Sequence, residues 1–211
     1  MIEIPFVLAV VARKGGVGKS SLARSLAVQA LVNGYRAAII DADEQATSFK
    51  WSLRRKEGAP AVIQLGNRTL AEAVSELKGR GAAFITIDTP PHDQPIINIA
   101  AEVADAALIV TQPYPDDLQE VGVAAAILHR TGKPAGIVLN NTPARAHALT
   151  MARAALTAFP MPTCPTALTH LMTHPYASAE GQTAQEREPK GRAAAELAEV
   201  WAWLESNIAV S

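Results

Sequence analysis

A nine-residue apolar run, Ile4 to Ala12, passes directly into the glycine-rich segment Arg13-Lys14-Gly15-Gly16-Val17-Gly18-Lys19-Ser20-Ser21. Beyond it, Leu22, Leu26 and Leu31 recur at the spacing of one helical face as far as Val32. Strand, loop and helix in that order demand a buried parallel sheet. A strand that is apolar along its whole length is covered on both faces, and a helical return leg lays the next strand parallel to it in a right-handed crossover. Further apolar runs at 37–40, 61–65, 84–87, 106–110 and 136–139 alternate with helical periodicity at 46–56, 70–78, 118–130 and 146–158. Gly34, Gly58, Gly79, Gly81 and Gly132 fall where helices should stop. The pattern predicts one α/β domain over residues 1–211, a doubly wound, mostly parallel sheet flanked by helices, and seven or so strands fit the length.

Composition removes several functions. The net charge of -1 excludes binding of polyanions by bulk charge, so contact with nucleic acid would need a local patch or an assembled dimer. The single cysteine, Cys164, leaves no intramolecular disulfide and no thiolate set for zinc or an iron–sulfur cluster. No strongly apolar run near the start approaches the ~20 residues of a membrane span, and no basic leader precedes the first strand, so the expectation is a cytoplasmic protein without membrane insertion. The last helical segment, 192–208, places Leu197, Val200, Trp201, Leu204 and Ile208 on one face, with Glu196, Glu199 and Glu205 outside it. Its acidic polar side is wrong for a membrane surface, and packing on the domain or on a second subunit is expected.

The glycine-rich loop has the chemistry of a phosphate cradle. Glycines let backbone N–H groups converge on phosphate oxygens at the positive end of a helix. Lys19 would reach the β- and γ-phosphates, and the Ser20 hydroxyl would join a magnesium shell. Arg13 stands where the strict motif has its first glycine, leaving the K-G-G-x-G-K-S form with Lys14 as an extra cation. Two acidic sites follow at strand ends, where an open parallel sheet forms its ligand crevice. Asp88 closes the run at 84–87 and is placed to hold magnesium through water, while Asp41 or Asp43, after the run at 37–40, can orient an attacking water toward the γ-phosphate. Ser20, Asp88 and Asp41 are the candidate metal residues.

Lys14-Gly-Gly-Val-Gly-Lys19-Ser20, Asp41-Ala-Asp43-Glu-Gln45-Ala-Thr47-Ser48 and Ile85-Thr-Ile-Asp88-Thr-Pro-Pro91 together resemble the deviant Walker A ATPases of the ParA/MinD group, whose patterns are K-G-G-x-G-K-T, D-x-D-P-Q and a hydrophobic run ending in D-x-P-P. Val110-Thr-Gln-Pro-Tyr-Pro115-Asp116-Asp117-Leu118 is similar to the family's V-x-P-S-P-x-D-L segment, and Tyr176, Gly181 and Glu186 match a Y-x4-G-x4-E element of small plasmid-partition ParA proteins of the ParF type. The resemblance implies ATP and ADP as nucleotides, Mg2+ as cofactor, and an ATP-dependent homodimer. Lys14, as the signature lysine, would cross the interface to the partner's nucleotide. Lys14, Lys19 and Asp43 would then be catalytic, and Gly15, Gly16, Val17, Gly18, Lys19, Ser20 and Ser21 would cradle the phosphates. Asn140, or its neighbour Asn141, would touch adenine. The resemblance also implies non-specific DNA as a matrix, nucleoid association in the ATP state, and a centromere-binding ParB/ParG-like activator.

Glu44 replaces the family's proline after Asp43, removing a rigid turn and adding charge, so slow hydrolysis is expected. Arg130, Lys133, Arg145, Arg153, Arg187, Lys190 and Arg192 are the cations available for phosphate contacts. His174 could be a phosphate-facing donor or a plain loop histidine. Relaxosome accessory ATPases of conjugation and MinD-like positioning ATPases share the same ATP chemistry and are the alternatives.

Overall fold

The computed structural model describes residues 2, 4–91, 93–143 and 146–209. Its centre is a sheet of six strands, β1 (Phe6–Val11), β2 (Ala37–Asp41), β3 (Ala61–Gln64), β4 (Phe84–Asp88), β5 (Ala106–Thr111) and β6 (Ala135–Leu139). All pair in parallel, in the order β3-β2-β4-β1-β5-β6. Every residue of β1, β2, β4 and β5 is buried, as their unbroken apolar runs require. The helices are α1 (Lys19–Val32), α2 (Thr47–Ser52), α3 (Leu70–Gly79), α4 (Gln94–Val103), α5 (Pro115–Thr131), α6 (Ala146–Leu156), α7 (Thr173–Ala179), α8 (Ala184–Arg187) and α9 (Arg192–Asn207). One face of the sheet packs Leu8, Val10, Phe84 and Leu108 against α1 and α9; the other packs Val7, Ala9, Ile85, Ile87 and Ile109 against α3, α4 and α5. No helix among the described residues is long and apolar enough to cross a membrane.

Several elements differ from the sequence expectation. No seventh strand forms among the described residues. The outer edge of β6 is covered by residues 162–170, which meet it through single bridges at Ile137–Thr163 and Thr142–Thr169. Pro160, Pro162 and Pro165 supply no N–H groups, so a continuous ladder cannot propagate there. The first strand starts at Phe6, because Pro5 cannot donate to a ladder and Ile4 is exposed. The helix expected at 46–56 contracts to α2. Periodicity gives no helix between 88 and 106, yet α4 forms there: Asp93 accepts the Ile96 N–H at 3.1 Å, and Pro95 sits in the first turn, where its missing donor costs nothing. Glu196, outside the apolar stripe of α9, is buried because it accepts from the Thr169 N–H, the Thr169 hydroxyl and Arg192.

The chain leaves β1 toward β2 on one side and later returns to β5 on the other, so a crevice opens at the carboxyl ends of the central strands. The glycine-rich loop leaves β1 there. Asp41 and Asp88, the last residues of β2 and β4, are direct register partners beside it.

Candidate functional site

The loop is strapped from two sides. Gly18 sits at φ 94 as the residue capping α1, and a Cβ on it would lie 2.1 Å from the Asn140 amide nitrogen. That amide donates to the Val17 carbonyl at 2.7 Å, while Gln112, just past β5, donates to the Gly16 carbonyl at 3.1 Å. No side chain caps the first turn of α1, so its N–H groups remain available to an anion. Lys19 opens that turn and is buried; burial lowers its pKa, and the charges of Asp88 and Asp43 oppose the shift.

The two strand-end aspartates are buried with different partners. Asp41 accepts the Asp43 N–H at 3.2 Å and the Phe49 N–H at 2.8 Å, so it anchors the loop leading into α2, and burial raises its pKa. Asp88 accepts the Ser48 hydroxyl at 2.6 Å through Oδ2, while its buried Oδ1 has no hydrogen-bond partner among the described residues. Burial pushes its carboxyl up to about 6, against the Ser48 and Ser20 hydroxyls and Arg24, which lower it. A carboxylate oxygen without a partner among the described residues, near the Ser20 hydroxyl at the start of α1, fits the donor chemistry that a hydrated magnesium ion would need. Among the described residues no group of three or more His, Cys, Asp and Glu is arranged to hold a metal ion by itself.

Asp43 is partly exposed and its Oδ1 accepts the Gln45 N–H at 2.9 Å. The turn after it forms without proline: the Ala46 N–H donates to the Asp43 carbonyl at 2.8 Å, and Glu44 points into the exposed part of that turn. The lost rigidity is replaced by the Asp43 side chain bonding its own turn.

Lys14 is partly exposed, whereas Lys19 is buried. The Lys14 Nζ lies 2.9 Å from Asp117 in the first turn of α5, and this bond raises the Lys14 pKa. Arg13 pairs with Glu120 one turn along the same helix at 2.9 Å.

On the other side of the loop, Gly16, Gly18, Asn140, Asn141, His170 and His174 line a depression of about 320 Å³. Asn141, at φ 53, bonds the His170 ring through its Oδ1. His174 lies in α7 rather than in a loop; its Nε2 is buried without a partner, and burial lowers its pKa.

Residues 8–164 match the model of the CobQ/CobB/MinD/ParA nucleotide binding domain, well over half of the chain. The chain belongs to this family. A relative from Gloeobacter kilaueensis, the maintenance of carboxysome distribution protein A, is 34% identical over 137 residues, which span 63% of this chain and 59% of the relative. Among solved structures, the septum site-determining protein MinD of Pyrococcus horikoshii, complexed with Mg-ADP, superposes with a TM-score of 0.74 at 19% identity, covering 95% of this chain and 96% of MinD. A Borrelia burgdorferi protein assigned to plasmid partition, bound to AMPPNP, superposes with a TM-score of 0.72 at 15% identity over 97% of this chain and all of its own. The six-stranded parallel sheet with its flanking helices is thus the P-loop fold of the MinD/ParA group.

Within this family frame, sequence reasoning assigned no role to Ser48, Gln112 or Arg24, which the fold sets against Asp88, the Gly16 carbonyl and the Ser20 carbonyl. Ser48 ends the Asp41–Ser48 segment, but its contact with Asp88 is not encoded there, and only the fold brings the two together. Most of the cations proposed for DNA are committed elsewhere: Arg187 pairs with Glu180, Arg192 with Glu196, Arg153 donates to the Cys164 and Pro165 carbonyls, and Lys133 to the carbonyls at the end of α4. Arg130 and Lys190 are exposed, and Arg145 lies outside the described residues.

Proposed function

We propose that the chain is an ATP-driven dimerising switch that binds non-specific DNA in its ATP state and hydrolyses Mg-ATP slowly to position a cargo. The observation that carries this reading is the placement of two lysines on one glycine-rich loop. Lys19 is buried at the start of α1, whereas Lys14 is turned outward and parked on Asp117. An outward lysine serves no purpose for a nucleotide in its own subunit; it serves a partner's. Leaving Asp117 for a phosphate across the interface would make ATP the glue of the homodimer, and loss of the γ-phosphate would release it.

In this reading the loop N–H groups and Lys19 bind the phosphates, and Asn140 keeps the loop in place beside the base. Ser20 and Asp88 hold magnesium, which when bound neutralises charge on the β- and γ-phosphates. Asp41 orders the loop that carries Asp43, and Asp43 orients water in line with the γ-phosphate. Its exposed, proline-free turn leaves that water poorly fixed, which suits slow basal hydrolysis and acceleration by an activator of ParB/ParG type. The cargo is plasmid or chromosomal DNA on this reading. The relative named for maintenance of carboxysome distribution supports a second, in which the same switch positions a cargo other than DNA.

The test is binding to random-sequence duplex DNA with ATP and with ADP at fixed salt, for the wild type and Lys14→Gln. ATP-dependent binding that is lost in the variant is expected. Absence of DNA binding in every nucleotide state refutes the DNA part of the proposal, and equal ATP-dependent binding by the variant refutes the role of Lys14.

A further inference from the structure

Trp51 is completely buried, with two guanidinium groups over its ring. The Arg55 carbon lies 4.4 Å from its ring centroid and the Arg24 carbon 5.5 Å. The indole N–H donates to the Gln182 carbonyl at 3.0 Å. Arg55 in turn donates to the Gly181 carbonyl at 2.8 Å and forks onto both carboxylate oxygens of Glu186, at 2.7 and 3.1 Å. Gly181, at φ 72, packs so closely that a Cβ would lie 2.5 Å from the backbone of Arg54 and Arg55. At the other end, Arg24 donates to the Ser20 carbonyl at 2.8 Å and to the Ser178 hydroxyl at 3.2 Å. Arg24 is itself buried, and that burial lowers its pKa to about 10.

All of this converges on α2, which has six residues and is far too short to hold its own shape or position. One turn before Trp51, the same helix presents Ser48 to Asp88. The helix is therefore gripped from outside by the segment 178–186 and touches the candidate metal carboxylate from inside. Cation–π stacking and a forked arginine–carboxylate pair in a buried setting are stiff contacts, so they fix a short helix better than apolar packing alone.

We propose that Trp51, held by Arg24 and Arg55 and through Arg55 tied to Glu186, is a positioning residue that sets α2 so that Ser48 holds Asp88 for magnesium. This rests on the reading of Asp88 as the magnesium carboxylate. It gives the Gly181 and Glu186 element, some 140 residues beyond Ser48 in the chain, a part in the ATP site that it does not touch.

Deleting Trp51 would open a core cavity and confound folding with function, so the test uses Arg55→Gln, Glu186→Gln, Ser48→Ala and Asp88→Asn. Binding of a fluorescent ATP analogue is titrated with Mg2+, and ADP binding is measured in EDTA. Ser48→Ala is expected to raise the half-saturating Mg2+ roughly tenfold, the lower end of what outer-shell partners contribute to metal affinity. Arg55→Gln and Glu186→Gln are expected to raise it several-fold, with metal-free ADP binding unchanged and Arg55→Lys falling between wild type and Arg55→Gln. Because the stack acts through Ser48, the Ser48→Ala/Arg55→Gln double variant should be no worse than Ser48→Ala alone. Multiplying effects in the double variant, an unmoved Mg2+ requirement, or equal losses with and without metal each overturn the proposal. A normal Mg2+ requirement in Asp88→Asn instead overturns the reading of Asp88 beneath it.

Discussion

Replacing Gly18 by alanine tests the strapped loop directly. At φ 94 an L-residue is in the left-handed region, which costs about 1–2 kcal/mol. The added Cβ would also sit 2.1 Å from the Asn140 amide nitrogen, expelling the side chain whose hydrogen bond to the Val17 carbonyl contributes a net ~1 kcal/mol. The sum is about 2–3 kcal/mol. With 211 residues at about 2.1 cal/mol/K each, the unfolding entropy is about 0.44 kcal/mol/K, so Tm should fall by roughly 5–7 °C. The assay is thermal unfolding of the nucleotide-free protein by near-UV circular dichroism. Gly15→Ala is the internal control, since no heavy atom lies within 4 Å of its Cβ position and its backbone is not left-handed; its Tm should stay within about a degree of wild type. Matching Tm values for the two variants would refute the claim that Asn140 and the backbone of Gly18 lock the loop.

Two further outcomes follow from the aspartates. Burial holds the Asp88 carboxyl up at about 6, so the folded protein keeps this proton to higher pH than the unfolded chain; without metal, the group removes stability as pH rises from about 4 through about 6. Asp88→Asn is therefore expected to unfold at a higher Tm than wild type near pH 8, with a gap that closes toward pH 4, while losing Mg-dependent ATP binding. An offset independent of pH would contradict the burial argument. Asp43→Ala should bind ATP normally and remain dimeric, with single-turnover hydrolysis slowed roughly 100-fold; ordinary hydrolysis would move the water-orienting role to another residue.

How much of this was readable beforehand differs between elements. The strands β1, β2, β4 and β5 and the helix α1 were legible because burial on both faces writes an unbroken apolar run, and a helix with one covered face writes a 3.6-residue period. The helix α4 was not, because its start is marked by Asp93 and Pro95 and not by periodicity, and a proline is as easily a turn signal. That no seventh strand forms among the described residues follows from prolines whose effect depends on which edge they lie against. As candidates for the site, Lys14, Lys19, Ser20, Asp41, Asp43 and Asp88 could be singled out, because strand-end acids and a glycine loop sit at fixed places in the chain order.

The amino-acid sequence by itself determined the parallel sheet, the phosphate cradle and the acidic residues at the strand ends, since each is encoded by neighbours a few positions apart. The tertiary structure decided the partners. It placed Ser48 on Asp88, Asn140 on the loop carbonyl of Val17, Lys14 on Asp117, and Arg55 between Trp51 and Glu186. Those pairs are 40, 123, 103 and 131 residues apart for Ser48–Asp88, Asn140–Val17, Lys14–Asp117 and Arg55–Glu186. Local propensity carries no information across such distances; only the closure of the sheet brings these groups within hydrogen-bonding reach, and the energy that fixes them comes from burial in that closed form.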